Sequence, residues 1–206
     1  MVADVLQLGK VAGWKSVSRD VRAGAVVMAM AEFECLIKTC VEEVNSAIEQ
    51  SGHAVGALRL GLRMLHLDSR FASASSSSLE KVWESRLQVA DAHNSGDVPA
   101  LPRADSRGFI QPLGSSTPKP AMIARLWLVY ELPGSPIPKL SWRRALGELA
   151  EIRNDVAHAR LPLNLALNGP DRSADAVAAF VLELRDLGRH IVESVTAYVD
   201  GNSYLA

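Results

Sequence analysis

The chain has 206 residues, of which 48% are hydrophobic and only 5% aromatic. Its formal net charge of -1, from 22 Lys and Arg against 23 Asp and Glu, excludes a general polycation that coats nucleic acid but allows a local basic cleft. The length allows one domain with a substantial core, and the Ala-, Leu- and Val-rich composition favours helix over sheet. We therefore predict an all-α fold, a single bundle of about five to seven helices.

The N-terminus lacks the basic-then-apolar pattern of a signal peptide, and the longest apolar run, 23–31, is too short to span a bilayer. We therefore predict a cytoplasmic protein without membrane contact. Cys35 and Cys40 point about 140° apart on a helix, so they can neither bridge nor share a metal ion. We interpret both as buried free thiols.

The first predicted helix runs from about Ser18 to Gln50. Ser18 and Asp20 suit its start, and Ser51-Gly52 ends it. One continuous stripe along it consists of Val26, Met30, Phe33, Ile37, Val41, Val44 and Ile48.

Two weaker helices follow. Residues 55–68 form one, although Gly56 and Gly61 lie inside it, and residues 79–93 form the other. The predicted apolar side of the second consists of Trp83, Leu87 and Ala90.

Residues 94–120 hold five of the ten prolines and predict a long irregular loop. Arg103, Arg107 and Phe109 give it basic and aromatic character, which suits a loop that closes over single-stranded nucleic acid. A surface loop without a ligand is the equally simple alternative.

Three elements complete the chain. A short helix is predicted at 120–130, and Ser141 caps a helix that runs from Trp142 to about Ala159. Ser173 caps the last helix, with Asp175 in the first turn, where the helix dipole favours an acid. We find no internal repeat and no strand.

The helix from Trp142 carries an arginine in its apolar face. Arg153 lies about 20° from Trp142 around the helix axis, and a guanidinium is costly to bury without a partner. Glu34, on the flank of the long apolar stripe, is the candidate partner, with direct hydration of Glu34 as the alternative. His158 follows five residues after Arg153.

The hexamer RNDVAH, Arg153 to His158, near the end of an amphipathic helix, resembles the HEPN superfamily, whose hallmark is an arginine, a polar residue and, a few residues on, a histidine. VRAGAVVMAMAEFECLIK, which contains Glu34, and PKPAMIARLW at 118–127 resemble the RiboL-PSP-type HEPN branch. The resemblance covers roughly 18–198. It implies a single HEPN-like domain over 1–206, with a core of about 18–200.

This resemblance also implies metal-independent endoribonuclease activity without a cofactor. The ribose 2′-hydroxyl would attack the adjacent phosphate at a composite site between two copies of the chain. His158 suits a general acid or base, Arg153 suits a phosphate clamp, and Asn154 can hydrogen-bond the histidine or the substrate. Glu34 would orient Arg153. DNA lacks the attacking hydroxyl, so the predicted substrate is RNA.

Two features bear on the assembly. HEPN toxins that a nucleotidyltransferase antitoxin silences carry a tyrosine two residues after the histidine, where this chain has Arg160, so that mode of control is in doubt. An antitoxin or defence-system partner stays open. Arg153 and His158 lie about 140° apart on an ideal helix, so one copy cannot easily aim both at one phosphate, which favours a homodimer.

Two alternatives remain. A HEPN-fold module that no longer cleaves would serve as a scaffold or as an RNA- or protein-binding partner. A metal-dependent helical-bundle enzyme would use Glu151, Asp155 and His158, which share a helix face with Glu148 nearby, but other helices lack the matching Glu-x-x-His sets. A solvated charged face explains these acids more simply.

Overall fold

The computed structural model describes residues 15–68, 71, 79–105, 110–114, 117–157, 165, 167 and 172–206. Six α-helices lie in these ranges: α1 (Lys15–Gln50), α2 (Leu60–His66), α3 (Leu79–Ala90), α4 (Pro120–Tyr130), α5 (Leu140–Ala157) and α6 (Ala174–Asp200). Short 3-10 helices occur at Val55–Ala57 and Ala92–Asn94. The same ranges contain isolated β-bridges but no strand, so the predicted all-α class is confirmed there.

Contacts divide the chain into two compact units. The first consists of Met1–Ile37, Ser116–Ala124 and Ser135–Ile191, and the second of Lys38–Ser115, Arg125–Gly134 and Val192–Ala206. Helices α1, α4 and α6 each contribute to both units. No helix in the described ranges is long and apolar enough to cross a membrane.

Helix α1 buries the stripe that its sequence predicts. All seven apolar residues of that stripe, from Val26 to Ile48, are buried. The helix stops at Gln50, and Gly52 adopts a φ of 75°, the left-handed conformation that commonly follows a helix end. The helix already includes Lys15, so the start predicted at about Ser18 lies inside it. Cys40 is buried, whereas Cys35 is exposed, so the burial predicted for Cys35 is wrong.

The single helix predicted at 55–68 is divided in two. Leu58 has extended backbone angles and forms a β-bridge with Leu205, which separates the 3-10 helix from α2. Gly61 lies so close to the neighbouring backbone that a Cβ there would be 1.9 Å from the carbonyl oxygen of Val129. Glycine is therefore required at this position by packing between α2 and α4, although it lowers helix propensity.

Helix α3 reverses the predicted orientation. Trp83 is 59% exposed and Leu87 is 67% exposed, whereas Ser85 is buried. The guanidinium of Arg86 lies 5.0 Å from the centre of the Trp83 ring, a cation–π contact that covers part of that ring. The predicted helix forms, but the neighbouring elements decide which of its sides is buried.

Of the two serine caps predicted for α5 and α6, the first is wrong and the second is correct. Helix α5 begins at Leu140, so Ser141 lies inside its first turn, and its hydroxyl donates to Glu183 instead of capping the helix. The Ser173 hydroxyl accepts a hydrogen bond from the amide of Ala176 at 3.2 Å and caps α6 as predicted.

The described part of the loop at 94–120 is attached to α1. Asn45 donates to the carbonyl oxygen of Pro102 at 2.9 Å. Glu49 accepts the amide of Leu101 and forms an ion pair with Arg103. The charge of Arg103 is therefore balanced by an α1 carboxylate. Arg107 and Phe109 lie outside the described residues.

We expect the stability of the protein to fall as the pH rises above about 10. Burial raises the pKa of Tyr130, whose hydroxyl donates to Asn45 Oδ1 at 2.6 Å. The unfolded chain then loses this proton before the folded chain does, and each pH unit in that window removes about 1.4 kcal/mol of unfolding free energy. Urea unfolding measured at several pH values tests this. The Tyr130→Phe variant should be less stable at neutral pH but show a shallower alkaline decline; equal declines would contradict the assignment.

Candidate functional site

The apolar face of α5 is buried only as far as Ile152. The helix buries Trp142, Ala145, Leu146, Leu149, Ala150 and Ile152. From Arg153 to Val156 every residue is half-buried, and Ala157 is exposed. The C-terminal end of α5 therefore places Arg153 and Asn154 at the edge of the core, where solutes can reach them.

A hydrogen-bonded group is centred on the side-chain oxygen of Asn154. Thr117 Oγ1 donates to Asn154 Oδ1 at 2.9 Å, and Arg153 Nη1 donates to the same oxygen at 3.3 Å. Arginine has no hydrogen-bond acceptor, so the amide atom that faces it must be the oxygen. This fixes the Asn154 side chain with its Nδ2 amino group free of hydrogen bonds to described residues. Two kinds of donor, an amide and a guanidinium, thus lie side by side.

The predicted pairing of Arg153 with Glu34 is absent from the ion pairs between described residues. Glu34 is half-buried and has an interaction of its own, while the polar contact of Arg153 is with the neutral Asn154 amide. Because an amide carries no charge, the guanidinium keeps its full positive charge at this edge. An anion can therefore still be attracted to it.

A second charged group lies on the other side of α5. Arg172, two residues before the start of α6, forms ion pairs with Glu148 at 4.0 Å, Glu151 at 3.5 Å and Asp155 at 3.4 Å. On a regular helix these three acids point about 140–160° away from Arg153. Their negative charge is therefore directed away from the Arg153 and Asn154 donors and is partly balanced by Arg172.

Arg172 is a residue that the sequence analysis missed. The signal that points to it is the spacing of Glu148, Glu151 and Asp155, which places three carboxylates on one helix face where a cation is needed. Two of these acids belong to the ligand set of the metal-enzyme alternative, and a guanidinium engages them instead. The described residues contain no group of three or more His, Cys, Asp or Glu side chains that could hold a metal ion.

Two predicted site residues, His158 and Arg160, lie outside the described residues, because the described segment ends at Ala157. Arg59, directly before α2, forms an ion pair with Glu131 at 3.3 Å. Within the described residues, the structure therefore brings Arg153 and Asn154 together with Thr117.

No known protein-family model matches the chain, and neither a curated protein nor a solved structure is significantly similar to it.

Proposed function

We propose that the protein is a metal-independent endoribonuclease of the toxin or defence type. The observation that supports this best is the donor pair at the end of α5, where the Arg153 guanidinium and the Asn154 Nδ2 group lie together without a carboxylate partner among the described residues. Such a pair suits a phosphate, because guanidinium and amide groups donate to phosphate oxygens and the positive charge strengthens these bonds.

The proposed reaction needs only groups that the chain supplies. The 2′-oxygen of a ribose forms a bond to the adjacent phosphorus, and the bond from phosphorus to the 5′-oxygen breaks, which leaves a 2′,3′-cyclic phosphate and a 5′-hydroxyl. His158 would accept the 2′-hydroxyl proton or donate one to the departing 5′-oxygen. Arg153 would stabilise the negative charge that develops on the non-bridging oxygens.

The spacing of the two residues supports a site built from two copies of the chain. Arg153 and His158 are five residues apart, which corresponds to about 140° on a regular helix. One copy would therefore direct them to different sides of α5. Two α5 helices that face each other across a two-fold axis would let Arg153 of one copy and His158 of the other address the same phosphate.

We expect the purified protein to cleave RNA in the presence of EDTA. The products should carry 2′,3′-cyclic phosphate and 5′-hydroxyl ends, and His158→Ala should reduce cleavage by about 10²–10⁴-fold, the usual contribution of a general acid or base. Gel electrophoresis with end-group analysis measures both. Products with 5′-phosphate and 3′-hydroxyl ends would contradict the mechanism, as would equal cleavage by the wild type and His158→Ala, which points to a contaminating nuclease.

The exposed apolar side of α3 favours a second candidate, a HEPN-like module that binds a partner protein without cleaving RNA. Trp83 and Leu87 lie one turn apart on that side and are both more than half exposed. Absence of cleavage by the wild type over a range of RNAs would place this candidate ahead.

A further inference from the structure

Thr117 reaches the candidate site from outside α5. Its hydroxyl donates to Asn154 Oδ1 at 2.9 Å, although the two residues are 37 positions apart in the chain. Thr117 is half-buried and lies three residues before the start of α4. Both residues belong to the first compact unit, so the contact joins two segments within that unit.

The chain presents this hydroxyl from a stiff segment. Thr117 is followed by the buried Pro118, and a residue before a proline is largely restricted to extended conformations. The branched Cβ of threonine also restricts rotation about χ1. Directly after Pro118, the carbonyl oxygen of Lys119 accepts the amide of Met122 at 2.9 Å, which attaches the segment to the first turn of α4. The hydroxyl can therefore hold Asn154 at a small further cost in conformational entropy.

Thr117 is the closer of the two donors to the Asn154 oxygen. Its donor–acceptor distance is 2.9 Å, whereas Arg153 Nη1 lies 3.3 Å from the same oxygen. Hydrogen bonds from N–H groups usually measure about 2.7–3.2 Å, so the contact with Arg153 is a long one. Arg153, which can only donate, decides that the oxygen faces this side, and Thr117 holds the oxygen in place.

The held amide directs its own donors elsewhere. A carbonyl oxygen accepts two hydrogen bonds, so Thr117 and Arg153 together occupy the Asn154 oxygen fully. The two N–H groups of Nδ2 then point away from Thr117. If Thr117 released the oxygen, rotation of the amide could turn Oδ1 toward a bound phosphate, whose oxygens it would repel.

We infer that Thr117 is a positioning residue for RNA cleavage. It acts through Asn154, because it keeps the Nδ2 donors beside the Arg153 guanidinium, where both groups can bind one phosphate. This inference rests on the proposed ribonuclease function. It adds to that function a residue of the loop at 94–120, outside the RNDVAH hexamer.

Cleavage of one labelled RNA in EDTA by three variants tests the inference. Thr117→Val keeps the shape of the side chain but removes the donor, so kcat/KM should fall about 3–10-fold, the equivalent of one hydrogen bond. Thr117→Ser restores the hydroxyl and should recover most of the rate. Thr196→Val makes the same change at an exposed position of α6 and should leave the rate unchanged.

A double-mutant cycle distinguishes positioning from a purely structural role. If Thr117 acts through Asn154, Thr117→Val should have no further effect on cleavage once Asn154 is replaced by alanine. Equal losses in both backgrounds would overturn the inference, as would wild-type rates in folded Thr117→Val or no recovery in Thr117→Ser. Absence of cleavage by the wild type would instead overturn the proposed function, and this inference with it.

NMR of the Asn154 side chain tests the same inference without cleavage. The probe is a single-stranded 2′-O-methyl RNA, which has no free 2′-hydroxyl and is not cleaved. Its addition should shift the Nδ2 proton signals of Asn154 in the wild type and shift them less in Thr117→Val. Unchanged Nδ2 signals in the wild type at saturating RNA, or equal shifts in the two proteins, would overturn the inference.

Discussion

Replacement of Arg153 by alanine is expected to lower kcat/KM for RNA cleavage by about 10²–10³-fold, the usual effect of removing one group that stabilises a charged transition state. Arg153 is half-buried and its polar contact is with Asn154, so the substitution should leave the fold intact. Arg153→Lys should recover part of the rate, since it keeps the charge but loses the two-pronged geometry. Cleavage rates measured in EDTA with one labelled RNA check this.

Arg143→Ala is the matched control for that experiment. Arg143 lies on the same helix, is exposed, and carries the same charge at the opposite end of α5. Its replacement should change cleavage far less than that of Arg153. Similar losses in the two variants would mean that general attraction of RNA to a positive surface, and not a phosphate clamp at Arg153, explains the activity.

A mixture of inactive variants tests whether the site is composite. If Arg153 of one copy acts with His158 of the other, a dimer of one Arg153→Ala chain and one His158→Ala chain contains one intact site. After free exchange of subunits, the mixture should recover about a quarter of the wild-type activity. If each chain supplies both residues to its own site, every site stays defective and the mixture remains inactive.

Gly61→Ala is expected to destabilise the protein by about 2–4 kcal/mol. The added Cβ would lie 1.9 Å from the carbonyl oxygen of Val129 and 2.8 Å from its carbon, so the backbone of α2 or α4 would have to move. Movement would also strain the hydrogen bond from the Gly61 amide to Glu131 Oε1, which measures 3.1 Å. Urea unfolding followed by circular dichroism gives the change in free energy.

Gly147→Ala provides a control of opposite sign. Gly147 lies inside α5, and a Cβ there would meet no atom within 4 Å. Alanine has the higher helix propensity, so this variant should be about 0.5–1 kcal/mol more stable than the wild type. If Gly61→Ala were as stable as Gly147→Ala, the close approach of α2 to the Val129 carbonyl would be contradicted.

The sequence predicts best those elements whose patterns extend over many residues or involve residues only a few positions apart. Helix α1 shows seven apolar residues at helical spacing, and burial of all seven confirms the stripe. Helix α4 runs from Pro120 to Tyr130 as predicted, because a proline is favourable at a helix start and an apolar pattern follows it. The Ser173 cap of α6 is also local, since the hydroxyl and the amide that it accepts are three residues apart.

The candidate site likewise has a part that the sequence predicts and a part that only the structure shows. The RNDVAH hexamer and its place near the end of a helix can be read from the sequence, so Arg153 and Asn154 were found there. The pairing of Asn154 with Thr117 joins residues 37 positions apart, and Arg172 reaches the α5 acids from beyond the end of that helix. Such contacts depend on the path of the intervening chain, which local patterns do not encode.

By itself the sequence determined that the chain forms helices and the approximate position of most of them. Helix formation depends on residues within a few positions of each other, through backbone hydrogen bonds, capping and propensity. Only the tertiary structure decided which faces are buried, as α3 shows with Ser85 inside and Trp83 outside. It also decided which charges are balanced. The α5 acids form ion pairs with Arg172, whereas Arg153 lies beside a neutral amide. Burial and charge pairing depend on neighbours that are distant in sequence and become neighbours only when the chain folds.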